Sequence, residues 1–259
     1  MAKPRAVDVR LTAVEPESGG LRKTLAEARR EDHGRKIIGS EELGGGEELD
    51  EAEGGTHPFR PSHRPPIPLL RVFDDNQSDG ETIRVRGNPF IIGRNEGDLI
   101  IPHDNLISGR HAEIARHFED GKVLWRLYDL NSRNGSFVKI DFIRLRVGDE
   151  LILGATTYVF QESRQSSPRL VQVGSRHPRE VTFEQEEFWI GRDPAHGIPA
   201  FTDDHLLEEK HARVQYTRGK WCLMAAPSTN GVWARIDQIE LGHGTRFQLG
   251  EQRFQVLLP

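Results

Sequence analysis

The chain repeats itself, and this restricts its fold more than any other feature. Ile92-Gly93-Arg94 returns as Ile190-Gly191-Arg192, His111-Ala112 as His211-Ala212, and Asn134-Gly135 as Asn230-Gly231. Downstream the spacing settles at 96 residues, matching Ile140-Asp141 with Ile236-Asp237, Gly148 with Gly244, Leu153-Gly154 with Leu249-Gly250, and Tyr158 with Phe254. One match would be noise, but an ordered series at near-constant offset means two copies of one folding unit of about 95 residues. The boundaries this implies are copy one at 68–163, a polar linker at 164–168 and copy two at 169–259.

Within copy one, short runs of period-two alternation are separated by turn residues. They read as strands at 69–73, 82–86, 90–92, 111–116, 122–128, 136–140, 150–153 and 156–160. Asp74–Gly80 and Asn131–Gly135 supply turn chemistry, and after Pro68 no helical period lasts three turns. The fold class expected is all-β, a sandwich or barrel in each copy.

Residues 1–67 differ from the rest. Gly19-Gly20, Gly44-Gly45-Gly46 and Gly54-Gly55 break them up, Glu41–Glu53 holds acidic residues and no basic one, and Pro58–Pro68 is rich in proline. Such stretches bury too little apolar area to offset chain entropy, so this segment is expected to be a disordered tail. Its one helical pattern, residues 21–32 with Leu21, Leu25 and Ala28 on one face, is marginal without a partner surface.

Several function classes are disfavoured at this level. Thirty-five Lys and Arg against 40 Asp and Glu leave a net charge of -5, the wrong sign for a nucleic-acid or membrane-surface protein. The single cysteine, Cys222, forms no internal disulfide and no thiolate zinc site. Neither a metal nor another cofactor is expected. No apolar run reaches the ~20 residues of a membrane span, and Met1–Glu15 lacks the apolar stretch of a secretory signal, so the expected location is the cytoplasm.

Each copy carries an Ile-Gly-Arg at a strand end, a loop ending in histidine, and an Asn-Gly turn. In copy one these are FIIGR at Phe90–Arg94, SGRH at Ser108–His111 and DLNSRNG at Asp129–Gly135. This order and spacing resemble the forkhead-associated (FHA) domain, a two-sheet β-sandwich that binds phosphothreonine peptides. The resemblance spans roughly residues 69–163 and 169–259. The residue chemistry agrees, because a phosphothreonine of about -1.5 to -2 charges with three acceptor oxygens calls for a fixed cation, a hydroxyl donor and closely approaching backbone. Arg94 offers a guanidinium fork, Ser108 a hydroxyl, and Gly109 a backbone without a Cβ. The resemblance implies that Arg94 and Ser108 hold the phosphate. It also implies that Asn134 grips the peptide main chain and that His111 braces the loops, with Arg133 reaching the phosphate or the peptide flank. Gly93 and Gly135 support the site. Gly109 departs from the pattern, since many members have a basic or polar residue there.

Copy two keeps Gly191-Arg192, His211 and Asn230-Gly231 but has Glu208 where the serine belongs. A carboxylate repels a phosphate and removes the hydroxyl donor, so copy two is expected not to bind phosphothreonine, with Glu208 pairing instead with Arg192. No Ser-His-Asp set, P-loop or metal cluster stands out, so no enzymatic activity is expected. The expected function is an adaptor in Ser/Thr kinase signalling. Copy one would read phosphothreonine on a kinase substrate or on the kinase itself, and copy two would be a phospho-independent scaffold. The alternative is an assembly subunit whose two sandwiches make phospho-independent contacts. A phosphorylated Thr12, Thr24 or Thr56 folding back onto Arg94 and Ser108 is a further intramolecular ligand, since a tether gives a high effective concentration.

Overall fold

The computed structural model describes residues 9–11, 67–73, 80–193, 201 and 203–259. The suggested helix at 21–32 and the threonines at 12, 24 and 56 lie outside the described residues. The period-two runs form strands, their apolar positions turned inward and polar ones outward, as in Leu69–Phe73, where Leu70 and Val72 are buried. Ahead of copy one comes β1 (Val9–Leu11). Copy one supplies β2 (Leu69–Phe73), β3 (Glu81–Arg84), β4 (Phe90–Gly93), β5 (Leu99–Ile100), β6 (Ala112–Glu119), β7 (Lys122–Asp129), β8 (Ser136–Arg144), β9 (Glu150–Leu153) and β10 (Thr156–Ser163). Copy two supplies β11 (Ser166–Gln172), β12 (Glu180–Thr182), β13 (Glu187–Ile190), β14 (Ala212–Thr217), β15 (Lys220–Ala225), β16 (Val232–Ile236), β17 (Gln238–Glu240), β18 (Arg246–Leu249) and β19 (Gln252–Leu257). The all-β expectation holds.

The pairing of these strands departs from the expected boundaries. β8 and β16, equivalent strands of the two copies, lie side by side and antiparallel, Ser136 against Ile236 and Ile140 against Val232. Val138 faces Ala234, its own counterpart in the repeat, so the contact has approximate two-fold symmetry. Beyond it each chain segment enters the other copy's sandwich. β18 of copy two pairs with β8 (Phe247 with Val138), β19 pairs with β2 (Phe254 with Val72), and β17 pairs with β7 (Ile239 with Leu127). Conversely β9 of copy one pairs with β16 (Leu153 with Val232), β10 pairs with β11 (Phe160 with Leu170), and the end of β8 pairs with β15 (Ile143 with Leu223).

Two sandwiches result, neither coinciding with a sequence copy. The first takes residues 69–140 together with 238–257; the second is the continuous stretch 142–236. The first faces the sheet order β3-β2-β19-β18-β8 against β17-β7-β6-β4-β5. Equivalent side chains close each core. Phe247 and Phe254, both fully buried and stacked at 4.8 Å, fill the first sandwich, and their counterparts Leu151 and Tyr158, also buried, fill the second. Each such side chain withdrawn from water contributes about 1.5–3 kcal/mol, so each borrowed hairpin supplies a substantial part of the core it enters.

Of the segment expected as a linker, residues 164–165 form a tight turn and 166–168 already belong to β11. Ser163 pairs with Ser166, and the Ser163 hydroxyl oxygen accepts the amides of Gln165 (3.2 Å) and Ser166 (3.1 Å). Polar composition there reflects hairpin chemistry rather than a spacer. Within the expected tail, β1 pairs with β8, Val9 against Ile143 and Leu11 against Ile140, and Arg10 stacks over Phe142 at 4.5 Å. Among the described residues no helix is long and apolar enough to cross a membrane.

The exchange makes one fragment informative. Residues 142–236, cut across both sequence copies, contain every strand of the second sandwich, and this fragment is expected to unfold cooperatively in urea on its own. A broad, non-cooperative transition would contradict the assignment.

Candidate functional site

The loops after β4, before β6 and before β8 meet at one end of the first sandwich. Gly93 ends β4 against the 108–109 loop, and a Cβ there would collide with the Gly109 carbonyl, which explains the glycine before Arg94. The backbone then turns alongside that loop, with Arg94 N donating to Ser108 O (2.9 Å) and Glu96 N to Gly109 O (3.1 Å). The Arg94 side chain is held by two amide oxygens, Nε donating to Asn95 Oδ1 (3.2 Å) and Nη1 to Asn105 Oδ1 (3.3 Å). Neutral acceptors orient the guanidinium without cancelling its charge.

Ser108 joins this loop to the Asn-Gly turn. Its Oγ accepts the Arg133 amide (3.0 Å), which leaves the hydroxyl proton free to be donated outward. Arg133 therefore serves the site through its backbone, while its side chain is exposed. Asn134 is exposed and donates Nδ2 to Leu106 O (2.7 Å); its amide also has an acceptor oxygen and a second N–H. A Cβ on Gly109 would meet nothing within 4 Å, so packing does not demand the glycine.

His111 is fully buried and bridges two of the loops. Its Nδ1 accepts the Ser108 amide (3.1 Å), so Nε2 carries the proton donated to Gly135 O (3.1 Å). Gly135 sits at φ +85°, a left-handed conformation that favours glycine. Sequence reasoning missed Asp129, which shapes this turn. Its Oδ1 accepts the hydroxyls of Ser132 (2.6 Å) and Ser136 (2.7 Å), and its Oδ2 accepts the Ser132 amide (2.9 Å). The aspartate at the head of DLNSRNG was the available signal.

Copy two reproduces the frame but not the chemistry. His211 takes the Glu208 amide at Nδ1 (3.2 Å) and donates Nε2 to Gly231 O (3.0 Å), and Asn230 Nδ2 donates to Leu206 O (2.9 Å). Glu208 does not turn to Arg192 as expected. Its Oε1 accepts the Thr229 amide (3.3 Å) and hydroxyl (3.0 Å), while Arg192 Nε donates to Leu207 O (2.6 Å). The backbone N–H that Ser108 accepts in copy one is thus taken by a carboxylate in copy two. These bonds from Thr229 hold the Glu208 carboxyl below its ordinary range and keep it ionised.

A family model, FHA domain, matches the chain at residues 90–154 and again at 188–250. The chain carries two FHA domains. Among solved structures it is similar to an FHA domain from a structural and functional analysis of phosphothreonine-dependent FHA domain interactions, at 16% identity and a TM-score of 0.32 over 74% of this chain and 97% of that one. It is also similar to the FHA domain of the CT664 protein from Chlamydia trachomatis, at 14% identity and a TM-score of 0.31 over 74% and 96%. Full-length yeast Pml1p is similar at 11% identity and a TM-score of 0.35 over 77% and 87%. No curated protein matches the chain. FHA domains are phosphopeptide-binding interaction modules. Both matched stretches run across the crossover between the two sandwiches.

Among the described residues no group of three or more His, Cys, Asp and Glu is placed to hold a metal ion. The two FHA histidines do carry a pH response. Burial pushes both His111 and His211 below their ordinary value of 6.5, against the upward pull of the carbonyls of Gly135 and Gly231. Because the folded state favours the neutral ring, the unfolded chain binds more protons below pH 6.5. The stability they contribute is present above that pH and is lost as pH falls from it towards the folded values. The urea midpoint is therefore expected to drop between pH 7.5 and 5.5; a flat or rising midpoint would contradict this reading.

Proposed function

We propose that the protein is a non-enzymatic adaptor whose FHA copy one binds a phosphothreonine on a partner protein of a Ser/Thr kinase pathway. The observation that carries this reading is the paired state of Ser108 and Arg94. The serine oxygen accepts the Arg133 amide, so its proton is free for an incoming acceptor, and the arginine is oriented by the neutral Asn95 and Asn105 side chains. A phosphate oxygen placed there meets a hydroxyl donor and a guanidinium together, and charge-assisted bonds of this kind contribute about 1.5–3 kcal/mol each. Asn134, exposed on the adjoining turn, takes the peptide main chain.

Copy two binds no phosphothreonine on this reading, because the Glu208 carboxylate stands at the position of the Ser108 hydroxyl and is held ionised. A threonine of the protein's own N-terminal segment, once phosphorylated, would be an intramolecular competitor for copy one.

The test uses the full chain and a randomised phosphothreonine peptide library, with unphosphorylated peptides as control. Phosphate-dependent binding is expected. It should weaken at least about thirtyfold in Arg94→Ala and about tenfold in Ser108→Ala, with Arg192→Ala unchanged. Binding indifferent to phosphate and to both copy-one substitutions would instead favour an assembly subunit that contacts partners independently of phosphorylation.

A further inference from the structure

Asp104 is a buried carboxylate outside the sequence motifs, and it sits at the root of the loop that carries the site. Its Oδ1 accepts the Leu106 amide (2.8 Å), and its main-chain oxygen accepts the Ile107 amide (3.2 Å). The residues that follow hold the ligand-facing groups: Asn105 orients Arg94, the Leu106 carbonyl holds Asn134, and Ser108 comes next. The other carboxylate oxygen reaches across the sequence. Asp104 Oδ2 accepts the amide of Glu251 (2.7 Å), in the β18–β19 turn donated by copy two. Gly250, at φ +58°, lets that turn approach, since a Cβ there would collide with the Asp104 carboxylate.

The second sandwich mirrors this with the copies reversed. Asp204 Oδ1 accepts the Leu206 amide (2.9 Å), and its Oδ2 accepts the amide of Ala155 (2.9 Å), in the β9–β10 turn of copy one. Gly154, at φ +62°, is the glycine whose Cβ would collide with Asp204. Each binding-loop root is therefore clamped by the hairpin turn of the other sequence copy.

We propose that copy two positions the phosphate-facing loop of copy one through the Asp104–Glu251 clamp, so that the copy without a phosphate site of its own is a working part of the other copy's site. Asp104 is a positioning residue, since the groups it holds in place are those that face the ligand. The proposal rests on copy one being the phosphothreonine site. It gives the Glu208-bearing copy a role in binding that its own loops do not supply.

Three variants of the full chain test it. Asp104→Asn keeps the shape but offers one acceptor oxygen to two amides, Gly250→Ala pushes the copy-two turn off Asp104, and Gly154→Ala makes the same change at the mirror clamp. Binding is read with the phosphothreonine library, and amide hydrogen exchange is read at 104–108 and 204–208. Asp104→Asn and Gly250→Ala are expected to weaken phosphopeptide binding about tenfold and to lose protection at Leu106 and Ile107. Gly154→Ala is expected to stay within about twofold of the parent chain and to lose protection at Leu206 and Leu207 instead. Unchanged affinity in Asp104→Asn, or equal losses from Gly154→Ala and Gly250→Ala, would overturn the proposal. If the parent chain binds no phosphopeptide, the function proposed above fails. The exchange pattern still decides whether copy two fixes the loop, and loss of protection at 104–108 in Gly154→Ala rather than Gly250→Ala would overturn it.

Discussion

Ten residues in antiparallel register, Ser136–Ile140 against Val232–Ile236, determine how the rest of the chain is arranged. Once β8 and β16 pair about Val138 and Ala234, the chain leaving each strand enters the neighbouring sandwich, and everything after Asp141 and Asp237 changes owner. The pairing is well supported energetically. Val138, Ile140, Val232, Ala234 and Ile236 are all buried, and the strands on either flank continue the hydrogen-bonded ladder. Arg235 spans the contact to Glu150 at 2.9 Å and lies over Gly135, while Lys139 lies over Gly231, so the side chains beside each Asn-Gly turn also come from the other copy.

The exchange links the fold to the chemistry. Motif residues of copy one are drawn from a contiguous stretch, but the hairpin that completes their sandwich, and the turn that clamps their loop, come from copy two. The two sets of loops emerge from opposite ends of the β8–β16 pair, roughly 20 Å apart at about 3.4 Å per residue. Only one set presents a hydroxyl and an oriented guanidinium; the other presents a carboxylate secured by Thr229. A duplicated chain has in this way kept two frames and one pairing of a serine hydroxyl with an arginine.

Much of this was legible in the sequence, and what was not has physical reasons. The strands were legible because alternation and turn residues act locally, and Arg94, Ser108, His111 and Asn134 stood out because their roles depend on fixed spacing within loops. The exchange was not legible, because the β9–β10 and β18–β19 hairpins occupy equivalent repeat positions and either suits either sandwich; Leu153-Gly154 and Leu249-Gly250 are alike where the clamps form. Long-range partners of carboxylates were equally hidden. Nothing local ties Asp104 to Glu251, and nothing told Glu208 to choose Thr229 over Arg192. β1, three residues long, is too short to carry a period, and its pairing depends on the edge that β8 offers beyond Ile140. Two-residue β5 escaped for the same reason.

The most direct test of this account is an amide chemical-shift map of the full chain titrated with a phosphothreonine peptide and then with its unphosphorylated form. Phosphate-dependent shifts are expected at Arg94, Asn105–Gly109 and Arg133-Asn134, with a second cluster at Gly250-Glu251 in copy two. Shifts centred on Leu206–Lys210 and Thr229-Asn230, or a pattern identical for both peptides, would contradict it.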